Sequence, residues 1–260
     1  MTNKDGKEGK NYYNGFDILK AVYNRYPEGF HYKRDSNMLR SEHIPFNLFI
    51  PLKQNREFCK QIFSEILGNI IDSIDEVLIE HAPSPKEKYL DDGTSFDTYI
   101  EYTHTDNSKG IIGIEVKYTE REYKLKPESK EKIDVNNVNS RYYEVSKKRN
   151  LYLPEFMGEL KKDEYRQIWR NHLLAESILL ADEEGKIKHA HSLIFYPKDN
   201  GHFAEVGKEY SEMLLDNKDN KFRLVTFENF IENCRKYCPN NEFEKWINYL
   251  QERYIIQSTA

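Results

Sequence analysis

Apolar positions recur along this chain with two distinct periods. From Asn55 onward, Phe58, Ile62, Phe63, Ile66, Leu67 and Ile70 fall at the three- and four-residue spacing of one helix face, which predicts a helix over 55–72. An earlier set, Phe16, Ile18, Leu19, Val22 and Tyr23, predicts a helix within 16–35 that Pro27 and Gly29 end. Between the two, SEHIPFNLFIPL (41–52) is apolar but broken by Pro45 and Pro51. After Ile70 the period shortens to two. EVLIEH (76–81), SFDTYIEY (95–102) and GIIGIEVKY (110–118) predict three successive strands. Pro83, Pro85 and a charged DDG loop (91–93) separate the first two, and the turn formers THTDNSKG (103–110) separate the next.

DEYRQIWRNHLLAESILLA (163–181) is the clearest helical pattern, with Asp163 placed to cap it. HAHSLIFYP (189–197) predicts a fourth strand. FRLVTF (222–227) predicts a fifth, running into a helix over 228–237 with Thr226 near its cap. Residues 241–254 predict a last helix with Phe243, Trp246, Ile247, Leu250 and Tyr254 on one face. This order implies an α/β fold, a central mixed β-sheet flanked by helices. Residues 1–15 are polar and carry Gly6, Gly9 and Gly15, the pattern of a flexible N-terminal tail. Residues 16–260 then form a single domain. Within it, 119–162 is a long charged insertion in which eleven Lys or Arg face eight acids, with a short helix over 141–149.

Composition removes several function classes. The 19 Tyr, 14 Phe and 2 Trp are too many for a disordered chain. No stretch approaches 18 apolar residues, so no membrane span is expected. The opening MTNKDGKEGKNYYNG lacks the apolar run of a secretory signal, and Cys59, Cys234 and Cys238 cannot build a disulfide framework, which points to the cytoplasm. The net charge of −5 lends nucleic-acid binding no support from the whole chain and leaves only local basic surfaces to provide it. No phosphate-cradling or dinucleotide glycine motif and no nucleophile elbow occurs. His189 and His191 share a strand face but have no third ligand at a telling spacing, which reads as exposed strand histidines. Cys234 and Cys238, one helical turn apart, read as buried or incidental thiols.

The chemistry concentrates in GIEVK (113–117). Alternation puts Gly113, Glu115 and Lys117 on one face and Ile112, Ile114 and Val116 on the other. Glu115 and Lys117 then lie about 7 Å apart along the strand. Gly113 leaves room beside them. If the neighbouring strands pair, Asp97 meets Glu115 across the ladder. Adjacent carboxylates repel unless protonated or bridged by a cation, and hard oxygen donors suit Mg²⁺, with Mn²⁺ as a substitute. Lys117 is then placed to orient an attacking water, to assist its deprotonation, or to stabilise the phosphorane-like charge. The alternative reading of the three residues is an ion cluster at a strand edge. On the long helix, Gln167, Arg170 and Asn171 share a face.

Asp97, then Glu115-Val116-Lys117 on the following strand, resembles the PD-(D/E)XK nuclease superfamily, and the resemblance covers roughly residues 40–200. GIEVKYTE, SEHIPFNLFIPL, TSFD and QIWRNHLLAESILL are similar to a bacterial group of restriction-endonuclease-like proteins, with Phe96 in place of the motif's Pro. The resemblance implies a restriction-endonuclease-like core in α-β-β-β-α-β order and a metal-dependent DNA endonuclease of restriction or phage defence. Asp97 and Glu115 would hold the metal, and Glu80, or else Glu42, would complete it. Lys117 would position the attacking water, while Gln167 and Arg170 would support phosphate. Glu120 would hold Lys117 or Arg170. In-line attack would leave a 5′-phosphate. Duplex cleavage with one site per chain implies a homodimer, with a methyltransferase or defence subunit as a possible partner. The competing readings are an RNA or structure-specific nuclease of this fold, and a non-catalytic nucleic-acid-binding or subunit protein.

Overall fold

Within 71–116, β-branched and aromatic residues concentrate in three stretches that pair with their neighbours in sequence. The computed structural model describes residues 1–120, 125–216 and 221–255. The helices are α1 (Asn3–Lys7), α2 (Ile18–Arg25), α3 (Tyr32–Ser36), α4 (Ile44–Gln54), α5 (Arg56–Leu67), α6 (Lys130–Asn136), α7 (Arg141–Lys148), α8 (Asp163–Ala181), α9 (Gly201–Glu212), α10 (Phe227–Lys236) and α11 (Asn241–Tyr254). The strands are β1 (Ile71–His81), β2 (Phe96–His104), β3 (Lys109–Val116), β4 (Ile187–Tyr196) and β5 (Phe222–Thr226). They form one five-stranded sheet in the order β1-β2-β3-β4-β5. The first three strands are antiparallel neighbours. β4 and β5 then add in parallel, each reached through a helical crossover by way of α8 and α9. This is the mixed α/β sheet with flanking helices that the sequence predicts.

Each face of the sheet carries its own apolar layer. On one, Ile112, Ile114 and Val116 pack with α4, α5, α10 and α11. On the other, Ile111, Ile194 and Tyr196 pack with α7, α8 and α9. The alternation read in GIEVK is therefore real. Gly113 has a different reason from the one expected: a Cβ there would lie 2.2 Å from the Phe96 ring, so the glycine makes room for a neighbour and not for a ligand.

Four further expectations change. The apolar 41–52 segment is not interrupted by its prolines. Pro45 sits in the first turn of α4, where a missing N–H costs nothing. Pro51 frees the carbonyl of Asn47, and that oxygen accepts Trp246 Nε1–H at 2.7 Å. Residues 1–15 are packed instead of forming a flexible tail. Asn11 and Tyr12 are buried, Asn11 Nδ2 donates to the Arg34 carbonyl (3.1 Å) and Tyr12 Oη to Asp35 (2.6 Å). The described part of the charged insertion is likewise a packed layer, with Val135, Tyr142, Val145 and Leu160 buried in the second core. Asp163 does not cap α8: Lys162 holds the cap position, and Asp163 pairs with Arg166 inside the first turn. Among the described residues no helix is long and apolar enough to cross a membrane.

Candidate active site

Register alone brings the acidic residues together. Thr98 pairs with Ile114, so the next position outward sets Asp97 opposite Glu115. Ile79 and His81 pair with Thr98 and Phe96, so Glu80 falls opposite Asp97. Three carboxylates thus occupy one row across β1, β2 and β3. Glu80 holds a left-handed backbone (φ 54°), a conformation uncommon for a residue with a side chain, and its carbonyl accepts Arg25 Nε and Nη2 at 3.3 and 3.2 Å.

The row is electrostatically uncomfortable. Burial, then Glu115 and Glu80, pushes the Asp97 carboxyl well above the usual range. Burial, then Glu115, pushes Glu80 up to about 7, and Arg25 and the Tyr26 hydroxyl offset only part of this. Lys117 is buried, which by itself lowers an ammonium's pKa. Glu115 and Asp97 outweigh that, so the pKa is raised and the side chain stays cationic. Its Nζ lies 2.6 Å from Glu115 Oε1. The second Glu115 oxygen accepts Asn171 Nδ2 at 2.7 Å, and Asp97 Oδ2 accepts the Val116 N–H at 2.6 Å.

Helix α8 supplies the opposite wall. A cleft of about 180 Å³ is lined by Thr94, Asp97, Glu115, Gln167, Arg170 and Asn171. Sequence reasoning placed Gln167, Arg170 and Asn171 on one helical face, and that face closes on Glu115. Gln167 makes no hydrogen bond among the described residues, so its carboxamide is available to a ligand. Arg170 is engaged: its Nε lies 3.0 Å from Asp92 and its Nη1 3.2 Å from Glu131, a residue of the charged insertion. Asp92 also accepts the Tyr142 hydroxyl at 2.5 Å. Neither Asp92, in the loop before β2, nor Glu131, in the insertion, is marked by a sequence pattern, because each meets Arg170 only through long-range packing.

Two sequence candidates serve other ends. Glu120 does not hold Lys117 or Arg170 by hydrogen bond. It accepts the Ser41 N–H and hydroxyl (2.7 and 3.0 Å) and the Tyr118 N–H (3.1 Å), tying the turn at Ser41 to the end of β3. Glu42 is paired with Arg40 at 2.7 Å, although its charge still reaches Glu80.

The donor set fits a hard divalent cation. Glu80, Asp97 and Glu115 offer oxygen only, and Lys117 alone is a poor balance for three acids at least half-buried together. Burial and mutual repulsion raise two of the three carboxyls, and a cation held among them would relieve the repulsion. A family model of the PD-(D/E)XK nuclease superfamily matches residues 1–256. No curated protein and no solved structure matches the chain. The match takes in the packed N-terminal segment as well as the strands bearing Asp97, Glu115 and Lys117, and the chain belongs to the PD-(D/E)XK nuclease superfamily.

Proposed function

We propose that the chain is a Mg²⁺-dependent endonuclease that hydrolyses DNA phosphodiester bonds. The observation that carries this is the row of Glu80, Asp97 and Glu115 beside a buried cationic Lys117, under a cleft walled by Gln167. Asp97 and Glu115 would hold the cation, with Glu80 completing the set. Bound there, Mg²⁺ would supply an activated water and positive charge opposite the phosphoryl oxygens.

The chain's own groups divide the remaining work. Lys117 donates from a charged ammonium, which suits holding the attacking water in line and steadying developing negative charge. It does not suit a proton acceptor. Gln167 is free to donate its amide N–H to a phosphate oxygen in the cleft. Asn171 fixes the Glu115 carboxylate in place. Arg170 lends positive potential from a guanidinium already held by Asp92 and Glu131. DNA as substrate, a role in restriction or phage defence, a cytoplasmic setting and a homodimer acting on both strands follow from the resemblance to restriction-endonuclease-like proteins.

The test is cleavage of plasmid, linear duplex, single-stranded DNA and RNA with Mg²⁺ or Mn²⁺, comparing the native chain with Lys117→Ala. The expected result is metal-dependent cutting of DNA that the variant reduces at least about 10²-fold. Cutting confined to RNA would replace the substrate. No cutting of any substrate, with no metal-induced shift in melting temperature, would overturn the catalytic reading.

A further inference from the structure

The far ends of the same strands carry a second group of ligating side chains. His104 closes β2, Asp106 lies in the β2–β3 turn, and His189 stands near the start of β4. The two imidazoles stack with centroids 3.9 Å apart and 14° between their planes, so their in-plane lone pairs run parallel and an ion shared by both requires one ring to turn. Asp106 reaches both: Oδ1 is 3.0 Å from His104 Nδ1, which also accepts the Asp106 N–H at 3.0 Å, and Oδ2 is 3.0 Å from His189 Nε2. Among the described residues this is the one trio of His, Cys, Asp or Glu whose ligand atoms all lie within 4.8 Å of one another.

The histidine pair expected from sequence is thereby re-sorted. His191 is not exposed. It is buried and meets the Tyr102 hydroxyl at 2.8 Å. His189 finds its partners on another strand instead. Parallel pairing sets Gly110 beside His189, which brings β4 against the hairpin that carries His104 and Asp106. The hairpin turn is itself fixed. Ser108 donates its N–H (2.8 Å) and hydroxyl (2.5 Å) to Asp106 Oδ1, and His104 N–H donates to the Ser108 carbonyl at 2.8 Å.

We propose that His104, Asp106 and His189 bind a borderline divalent cation of the Zn²⁺ type and clip the β2–β3 hairpin to β4. Two imidazole nitrogens and one carboxylate oxygen are a donor set for such ions, whereas Mg²⁺ prefers oxygen alone. Three protein ligands at a surface leave one position for water. The site is separate from the catalytic row, because Lys109 and Glu115 are about 20 Å apart along β3. His104 and His189 are remote in sequence, so an ion bound to both stabilises the folded chain over the unfolded one.

The experiment is calorimetric titration of the full chain, stripped with chelator, using Zn²⁺ alone, with melting temperature as a second readout. Zn²⁺ should bind at the histidine pair, apart from any binding at the carboxylate row, and raise the melting temperature. His189→Ala and His104→Gln should each weaken that binding by more than about 100-fold, beyond what loss of an outer-shell partner costs. Asp97→Asn and Glu115→Gln should leave it unchanged. The proposal is overturned if Zn²⁺ does not bind, or if binding survives the histidine changes and is lost with the carboxylates. If His189→Ala fails to fold, His104→Gln and Asp106→Asn decide the question.

Discussion

At one end of β2 and β3, Asp97 and Glu115 face each other with Glu80 alongside; at the other, Asp106 sits between His104 and His189. Both ends place metal-type ligands on neighbouring strands, yet their electrostatics run in opposite directions. The Asp97 carboxyl is pushed up by burial and by Glu115 and Glu80, while that of Asp106 is pulled down by the Ser108 hydrogen bonds and the imidazoles. Like charges repel, so Glu115 turns to Lys117 and Asn171. Imidazole and carboxylate make favourable polar contacts, so they draw together. In the proposed nuclease, the catalytic cation belongs to the end with an excess of buried negative charge opening onto a cleft, not to the tightest cluster of ligand atoms.

The severest way to break this contrast is Glu115→Gln. It removes one carboxylate from the strained end and nothing from the other. Cleavage should fall by at least about 10³-fold, roughly 4 kcal/mol of transition-state stabilisation. The Mg²⁺-induced rise in melting temperature should vanish while the Zn²⁺ response persists. In the absence of metal the variant relieves repulsion on Asp97 but leaves the buried Lys117 ammonium without its closest partner, so the two effects oppose each other in its stability. If Mg²⁺-dependent cutting continues near the native rate, the carboxylate row is not the catalytic centre.

How much of this contrast was legible beforehand depended on the range of the interaction. The GIEVK alternation and the Gln167, Arg170, Asn171 spacing are local, and both held in the structure. Asp97 opposite Glu115 needed only one tight hairpin. Glu80 entered through family resemblance, because β1 has register shifts between Ile71 and Ser73 and between Ile74 and Glu76 that no reading of alternation reveals. His104 with His189 was out of reach for another reason. Their contact requires β4 to add in parallel after the long connection through α8. The N-terminal segment misled because its anchoring is polar and long-range. Asn47 Nδ2 donates to the Asn11 carbonyl at 3.0 Å, and Gly6 lies where a Cβ would strike Ser36 and Phe30. Helix α9 lies in a stretch whose sequence had suggested no element, and Asn200 caps it.

A smaller effect sharpens the contrast from the helix side. Asn171→Ala leaves every carboxylate in place and removes only the amide that holds Glu115 Oε2. Cleavage should fall 10- to 100-fold, the usual cost of losing a group that orients a metal ligand. The Mg²⁺ concentration giving half-maximal rate should rise, with little change in melting temperature. Asn171→Asp should not rescue, since it adds a fourth acid to the row. A drop in rate with an unaltered Mg²⁺ requirement would assign Asn171 to substrate contact instead.

Acid separates the two ends only after a background belonging to neither is accounted for. His43 and His172 are fully buried, His43 against Tyr12 and Tyr254, and His172 with Nδ1 3.0 Å from the Tyr210 hydroxyl. Burial pushes both down to about 3. Between the ordinary histidine value of about 6.5 and that lowered value, the unfolded chain takes up protons that the native chain refuses. Stability therefore falls as pH drops below about 6.5, by up to about 1.4 kcal/mol per pH unit for each of the two. The raised Glu80 and Asp97 carboxyls act with the opposite sign, because the native chain binds protons there that the unfolded chain releases, so urea midpoints between pH 7.5 and 5 should show this decline once Glu80→Gln and Asp97→Asn remove them. His43→Leu should remove up to half of the slope. If His43→Leu leaves the decline unchanged, the acid sensitivity lies elsewhere than in the two sealed histidines.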